Sequence, residues 1–211
     1  MEYAKGQLEG HCNVLVTGPT RSGTTFAAKA IAHDLDYRFM DESHIMFGKE
    51  GRRSGESLAR LVAIRVNTLL RYLKKHDKQV IQCPALFPYI HLISAQTNRF
   101  LAVVMVRNTK DIFQSALRGR GSKTQVRSDS ELLERGLVRY PDHSDEVHRL
   151  FDECADRGAV GEFIPRLYYS MWDRHYRGCC EFLELGYESM SSHPLWISQD
   201  DRPKTPLWYK D

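Results

Sequence analysis

A glycine-bounded turn between an apolar strand and a helix, near the amino terminus, constrains the fold more than any other feature. Residues 14–16 form an apolar run that predicts a buried strand, and the alanine-rich residues 24–35 predict a helix able to pack close to a sheet. Gly18 and Gly23 bound the turn between them. A strand, a glycine turn and a helix open a βα unit, whose backbone N–H groups can hold a phosphate or sulfate.

The turn lacks the cation that a nucleotide-hydrolysing phosphate loop carries. Gly18 and Gly23 have the spacing of a Walker A loop, in which lysine follows the second glycine. Thr24 stands at that position, and a basic residue, Arg21, lies inside the turn instead. Without the lysine, the usual contact to the β and γ phosphates is lost. A single 5′-phosphate carrying a small anionic group therefore fits better than a nucleoside triphosphate, and a turn without any ligand is the alternative.

The rest of the chain continues the alternation of strands and helices. Residues 101–106 are almost wholly apolar, which is typical of a strand covered on both faces in a parallel sheet. Other segments predict strands at 80–82 and 182–185, helices at 60–75, 108–118, 143–156 and 162–177, and a loop at 118–130. We expect an α/β fold of three layers, a central parallel sheet flanked by helices, of the P-loop NTPase-like class. One domain spans residues 1–211, with 119–161 as an insert that covers the substrate.

A second candidate for anion binding follows the strand at 101–106. Arg107 stands at the end of that strand, and Ser115 lies eight residues later, about two turns along the predicted helix. Both side chains can therefore project to the same side, where a guanidinium and a hydroxyl suit a phosphate monoester. Taken alone, the segment is more typical of a solvated helix start than of a phosphate site.

Together the two segments resemble the PAPS-dependent sulfotransferase family (PAPS is 3′-phosphoadenosine 5′-phosphosulfate). Its 5′-phosphosulfate loop resembles the run Arg21, Ser22, Gly23, Thr24 and Thr25. Its 3′-phosphate segment resembles the stretch from Arg107 to Ser115, although proline often stands where this chain has Thr109. Five further residues resemble the family more weakly, namely Trp172, Tyr187, Glu188, Arg202 and Lys204. The aromatic residues among them are also typical of a hydrophobic core.

The resemblance implies an activity and a set of site residues. The family transfers a sulfuryl group from PAPS to a hydroxyl or amine acceptor, leaves adenosine 3′,5′-bisphosphate, and needs no metal. Arg21 would stabilise charge on the leaving phosphate, and the loop residues would hold that phosphate. Arg107 and Ser115 would hold the 3′-phosphate.

The acceptor also needs a general base, and the sequence leaves its identity open. Some branches of the family use a glutamate shortly after the first helix, so we place Glu42 first and His44 second. His91 is a third candidate and is more typical of a structural histidine. The alternative for Glu42 and His44 is that both are solvated turn residues.

The motifs leave two alternative functions open. A small-molecule P-loop kinase is the alternative enzyme, although it needs the missing lysine, and a catalytically silent nucleotide-binding module is the alternative outside enzymes.

A net charge of +3, from 30 basic and 27 acidic residues, is too mild to predict nucleic-acid binding. No apolar run approaches the roughly 20 residues of a membrane span. We expect a cytoplasmic protein with a small-molecule or carbohydrate acceptor, and neither nucleic acid nor membrane as partner.

The cysteines give no framework for disulfides. The chain has five cysteines, without a CxxC pair, which fits free thiols in a reducing compartment. The adjacent pair Cys179 and Cys180 is more typical of a core element than of a redox site.

Overall fold

The computed structural model describes residues 5–42, 58–118, 128–190, 193 and 195. These residues form one five-stranded sheet in which every strand runs parallel to its neighbours. Its strands in chain order are β1 Asn13–Thr17, β2 Arg38–Met40, β3 Gln79–Gln82, β4 Leu101–Val106 and β5 Phe182–Gly186. Across the sheet their order is β2-β3-β1-β4-β5, so β1 lies in the centre.

The inner strands are apolar because both faces of the sheet are covered. Every residue of β1 and β3 is buried, and β4 is buried up to its last residue, Val106. In the register, Leu15 of β1 lies opposite Ile81 of β3 and Ala102 of β4. Continuous burial of this kind is what a parallel sheet between two helical layers requires.

Helices cover both faces of the sheet. They are α1 Lys5–Leu8, α2 Thr24–Leu35, α3 Leu58–Lys75, α4 Ile90–Ser94, α5 Thr109–Arg118, α6 Asp129–Arg139, α7 Ser144–Asp156 and α8 Phe163–Met171. A π-helical turn, Trp172–Tyr176, continues α8, and 3₁₀ turns lie at Pro84–Tyr89, Pro141–His143, Val160–Glu162 and Glu188–Met190. None of these described helices is both long and apolar enough to cross a lipid bilayer.

Two hydrophobic cores, one on each side of the sheet, hold the layers together. The alanine face of α2 packs with Val14, Val16 and Val103 on one side. On the other side, Leu15 and Ile81 pack with residues of α3, α7 and α8. The alternation of Val14, Leu15 and Val16 between the two cores follows the period of two along a strand. The predicted three-layer α/β fold with a central parallel sheet is confirmed.

The structure corrects the sequence analysis mainly in its shorter elements. The predicted bounds of α2 and β4 match the structure, whereas β2 and the 3₁₀ turns were not predicted. The predicted loop at 118–130 was wrong at its end, because α6 begins at Asp129. Ser128 and Glu131 form a capping box there, a pattern that is visible in the sequence. Residues 119–127 lie outside the described residues.

The described part of the predicted insert belongs to the packed core. Val147 and Leu150 of α7 are buried in the same core as Phe163 and Leu167 of α8. Gly136 of α6 is also buried and faces these helices. A substrate-covering role for residues 119–161 stays a prediction.

We predict that Gly136→Ala destabilises the protein, although the same exchange stabilises most exposed helices by about 1 kcal/mol. A Cβ atom at Gly136 would lie 2.9 Å from Val147 Cγ1, 3.0 Å from Phe163 Cζ and 3.1 Å from Leu167 Cδ2. Overpacking of this kind costs about 1–3 kcal/mol. Urea unfolding followed by circular dichroism measures the change in the free energy of unfolding.

Gly6→Ala is the matched control, because Gly6 lies in α1 and a Cβ there meets no described atom within 4 Å. We expect this variant to be as stable as the wild type or slightly more stable. Equal unfolding midpoints for Gly136→Ala and Gly6→Ala would show that α6 does not pack closely against α7 and α8.

Candidate functional site

The carboxyl ends of the five strands bring the sequence candidates to one edge of the sheet. Gly18 follows β1, Glu42 lies two residues beyond β2, and Cys83 follows β3. Arg107 and Tyr187 follow β4 and β5. Ligands of open α/β sheets bind at this edge, in the crevice outside the carboxyl ends of the strands. We therefore define the candidate site as this edge together with the glycine turn at residues 18–23.

The glycine turn adopts the left-handed backbone that its glycines permit. Gly18 has φ 138° and Gly23 has φ 95°, and Arg21 has a positive φ of 76° between them. The turn is closed by a hydrogen bond of 3.0 Å from Ser22 N to Pro19 O. Gly23 is the N-cap of α2. Successive backbone N–H groups in such a turn, next to a helix N-terminus, can bind an anion.

Close packing against β4 and β5 holds the turn in place. A Cβ atom at Gly18 would lie 3.0 Å from Met105 O, and one at Gly23 would lie 2.6 Å from Tyr187 Cδ2. Glycine is therefore needed at both positions for space as well as for backbone conformation. The ring of Tyr187 packs against the turn at Gly23.

Arg107 connects the two segments that the sequence analysis singled out. Its Nη1 donates to Arg21 O at 3.0 Å, and its guanidinium lies 3.8 Å above the centre of the Tyr187 ring. The backbone N–H of Arg107 donates to Tyr169 Oη at 3.0 Å, and Tyr169 Oη donates to Met105 O at 3.1 Å. These contacts orient the guanidinium towards the turn. Its buried Nε has no hydrogen-bond partner within the described part of the chain.

Arg21 reaches in the opposite direction, towards α5. Its side chain is exposed, and Nη2 donates to Ser115 O over a long 3.4 Å. The structure thus brings Arg21, of the predicted 5′-phosphosulfate loop, close to Arg107 and Ser115, of the predicted 3′-phosphate segment. Their roles in binding a ligand stay predictions.

The two threonines that follow Gly23 have different surroundings. Thr24 is only 4% exposed, and its Oγ1 accepts a hydrogen bond from Gln82 Nε2 at 3.3 Å. Thr25 is exposed in the first turn of α2. At the position of the Walker lysine, this chain therefore has a threonine hydroxyl that accepts a hydrogen bond from Gln82 of β3. Beside it, the fully buried Ser22 Oγ has no partner among the residues described.

Glu42 lies beside the end of β3 in a partly buried position. Burial is the main cause that raises its pKa, and Asp41 raises it further, whereas the backbone of Ala85 and the Arg65 guanidinium lower it. Burial and the nearby Glu42 also raise the pKa of the Cys83 thiol to about 12. A raised pKa makes the carboxylate a stronger base than an ordinary glutamate, which is a property sought in a general base.

Of the two other candidates for the general base, His44 lies outside the described residues. Arg202 and Lys204, which resemble the family more weakly, also lie outside them. His91 lies on α4, where its ring stacks on Tyr176 with 4.6 Å between the ring centres. Burial lowers the pKa of His91. This stacked position agrees with the structural role expected of His91.

Sequence reasoning missed three contacts at the site. Tyr187 was weighed mainly as a core aromatic, yet it contacts both Gly23 and Arg107. The hydroxyl of Tyr169 and the amide of Gln82 were not considered at all. Tyr187 stands two residues after the predicted strand at 182–185, which is a signal for this edge, whereas Tyr169 lies in a helix and carries no such signal.

Comparisons with known proteins support the fold. No family model and no curated protein sequence matches the chain significantly. A solved shikimate kinase from Acinetobacter baumannii, in complex with shikimate, is similar over 95% of this chain and 99% of its own, with a TM-score of 0.56 and 13% identity. A shikimate kinase from Bacteroides thetaiotaomicron matches 66% of this chain and 83% of its own, with a TM-score of 0.47 and 19% identity. The first likeness agrees with the expected P-loop NTPase-like α/β fold.

We predict that Gly23→Ala destabilises the protein more than Gly10→Ala does. The two glycines have nearly the same φ, 95° and 96°, but a Cβ at Gly10 meets no described atom within 4 Å. Both variants carry the cost of a left-handed alanine, and Gly23→Ala adds the clash with Tyr187, about 1–3 kcal/mol more. Thermal unfolding of both variants measures the difference.

The double variant Gly23→Ala/Tyr187→Ala separates the clash from other effects. We expect it to be more stable than the sum of the two single changes allows, because the ring that meets the new Cβ is gone. Strict additivity would mean that Tyr187 does not support the turn.

We also predict that Glu42→Gln changes how stability depends on pH. Because the pKa of Glu42 is raised in the folded protein, folding binds a proton there, and rising pH removes this stabilisation between the ordinary pKa of 4.5 and the raised value. Glutamine cannot ionise, so the variant should gain stability relative to the wild type as pH rises above 4.5. Melting temperatures at pH 4.5 and 7.5 test this.

The matched control is Glu134→Gln, at an exposed position on α6. Its melting temperature relative to the wild type should differ little between the two pH values. A Glu42→Gln variant that loses relative stability at pH 7.5 would show that its carboxylate is stabilised, not penalised, in the folded chain.

Proposed function

We propose that this protein is a PAPS-dependent sulfotransferase that transfers a sulfuryl group to a hydroxyl or amine acceptor. The observation that carries the proposal is the contact of the Arg107 guanidinium with the backbone of the glycine turn at Arg21. It unites a loop suited to a 5′-phosphosulfate with an arginine and a serine suited to a 3′-phosphate. The ligand that carries both groups is PAPS.

Unsatisfied polar groups at the site fit such a ligand. Buried Arg107 Nε and Ser22 Oγ both lack partners among the described residues, although buried polar atoms are nearly always hydrogen-bonded. Bound PAPS would be held at the 5′ side by the turn, Thr25 and Arg21. At the 3′ side it would be held by Arg107 and Ser115.

The protein's own residues would position the reactants and manage charge. PAPS, when bound, supplies the sulfuryl group. Arg21 would neutralise negative charge that grows on the leaving phosphate, and the fixed N–H groups of the turn would assist it. Glu42 would accept the proton of the acceptor, in keeping with its raised pKa. We expect the acceptor to be a small molecule or carbohydrate and the transfer to need no metal.

A small-molecule kinase is the second candidate function. The likeness to the Acinetobacter baumannii shikimate kinase favours this alternative over a sulfotransferase, since that protein is a kinase of a small molecule. Against it stands Thr24, whose hydroxyl is bonded to Gln82 where a kinase of this class needs lysine. A silent module that binds a nucleotide without turnover is the third possibility.

The experiment that separates these functions measures binding of adenosine 3′,5′-bisphosphate, ATP with magnesium, and AMP by calorimetry. We expect the bisphosphate to bind tightly without metal and the other two to bind weakly. Arg107→Ala should weaken bisphosphate binding by about tenfold to a hundredfold, because it removes charge-assisted bonds worth about 1.5–3 kcal/mol.

Arg99→Ala is the matched control for this loss of charge. Arg99 precedes β4, at the amino edge of the sheet, where it pairs with Asp77 at 2.5 Å. Bisphosphate binding should survive this change. Equal or preferential binding of ATP with magnesium, or bisphosphate binding that is unchanged in Arg107→Ala, would refute the sulfotransferase proposal and favour the kinase or a different nucleotide-binding module. Bisphosphate binding without turnover of PAPS across an acceptor screen would favour the silent module.

A further inference from the structure

A hydrogen bond between two buried side chains joins the end of β3 to the start of α2. Gln82 is the last residue of β3 and is 6% exposed, and Thr24 is the first residue of α2 and is 4% exposed. Gln82 Nε2 donates to Thr24 Oγ1 at 3.3 Å. The two residues are 58 positions apart in the sequence, so the bond depends on the fold and not on a local turn. Because Thr24 follows Gly23, the bond lies directly beside the glycine turn.

The sheet fixes the position from which Gln82 donates. Cys83, the next residue, donates its backbone N–H to Val16 O at 3.0 Å, and Thr17 Oγ1 donates to Cys83 O at 3.2 Å. These two bonds tie the carboxyl ends of β1 and β3 together. Since the glycine turn leaves the sheet from β1, the amide of Gln82 has a defined position relative to the turn.

The bond from Gln82 determines which role the Thr24 hydroxyl can play. A hydroxyl has one hydrogen and two lone pairs, and it rotates to suit its partners. Here one lone pair accepts from Gln82, and the hydrogen has no acceptor among the described residues. A donor to the oxygen also polarises the O–H bond, which makes that hydroxyl a better donor in turn. Thr24 is therefore set to donate a hydrogen bond, which is what an anion requires.

Other polar groups of the turn also lack partners and suit the same kind of ligand. The first hydrogen bond within α2 is donated by Ala27 N, so the N–H groups of Thr24 and Thr25 have no acceptor within the helix. Ser22 Oγ is fully buried without a partner among the described residues. It lies 3.0 Å from the position that a Cβ atom on Gly18 would occupy, which places it against the inner side of the turn. Buried hydroxyls are nearly always hydrogen-bonded, and an anion in the turn would supply the acceptor.

We propose that Gln82 is a positioning residue, which orients the Thr24 hydroxyl as a hydrogen-bond donor to a tetrahedral oxyanion held by the glycine turn. Where other phosphate loops carry a flexible lysine, this chain has a neutral donor whose direction is set from β3. The inference rests only on the anion-binding part of the proposed function. It holds equally for a sulfuryl group and for a phosphate.

The test titrates the full chain with sodium sulfate at constant ionic strength and follows the backbone amide resonances of residues 18–24 by NMR. In the wild type these resonances should shift and saturate. Gln82→Met keeps the length of the side chain but removes the donor, so it should raise the dissociation constant about threefold to tenfold. Sulfate that leaves these resonances unchanged, or an unchanged dissociation constant in Gln82→Met, would overturn the proposal. Sulfate binding at the turn without bisphosphate binding would count against PAPS and not against Gln82.

A double-mutant cycle with Thr24→Val shows whether Gln82 acts through Thr24. Thr24→Val keeps the shape of the side chain without its hydroxyl, and it should weaken sulfate binding at least as much as Gln82→Met does. Thr24→Ser retains the hydroxyl and should bind sulfate like the wild type. Adding Gln82→Met to Thr24→Val should not change the dissociation constant further. Independent losses that simply add in the double variant would refute action through the hydroxyl.

Gln79→Met is the matched control for a merely structural effect. Gln79 is 8% exposed at the opposite end of β3, where its side chain accepts from Tyr72 Oη and donates to Asp77 O. Both exchanges of glutamine for methionine should lower the melting temperature, because each removes a buried hydrogen bond. Only Gln82→Met should weaken sulfate binding. An equal loss of affinity in Gln79→Met would show that the effect comes from the stability of β3, and would overturn the proposal.

Discussion

The parallel pairing of β1 with both β3 and β4 is the constraint on which the rest of the structure depends. It requires two covered faces, and Val14, Leu15 and Val16 alternate between the two cores to meet that requirement. It also places the carboxyl ends of all five strands at one edge. The glycine turn leaves the sheet from the central strand, and Gln82 and Arg107 reach it from the neighbouring strands β3 and β4. The direction of the strands therefore sets the location of the site, and particular side chains then set its chemistry.

Besides Arg21 in the turn, the candidate site obtains positive charge from Arg107, at the end of a neighbouring strand. Arg107 stands after β4 and is held by stacking on Tyr187 and by the hydrogen bond from its backbone N–H to Tyr169. A guanidinium that rests on an aromatic ring loses little conformational entropy when it binds an anion, because its orientation is already restricted. Gly23 makes this arrangement possible, because any side chain there would collide with the same ring. The turn, Tyr187 and Arg107 therefore act as one unit.

The sequence predicts those parts of the molecule that depend on local pattern. The helix from Thr24 to Leu35 and the strand from Leu101 to Val106 have strong periodic or continuous apolar patterns, and both lie where predicted. Three-residue β2 is too short to produce a pattern, and its burial depends on pairing with β3. Tyr169 and Gln82 reach the site through contacts between distant segments, which no spacing along the chain reveals. The raised pKa of Glu42 likewise depends on burial that only the folded chain produces.

The surroundings of Thr24 illustrate why two proteins with the same fold need not catalyse the same reaction. In a kinase loop the lysine at this position extends towards the terminal phosphates, whereas here the residue is 4% exposed and hydrogen-bonded to Gln82. A lysine would have to displace that bond and keep its ammonium solvated or paired, since an unpaired buried charge is strongly disfavoured. A loop that lacks this cation loses one contact to the β and γ phosphates during phosphoryl transfer, but it can still bind one phosphate through its N–H groups. In this chain the residues that bring positive charge to the turn are Arg21, within it, and Arg107, whose guanidinium donates to Arg21 O.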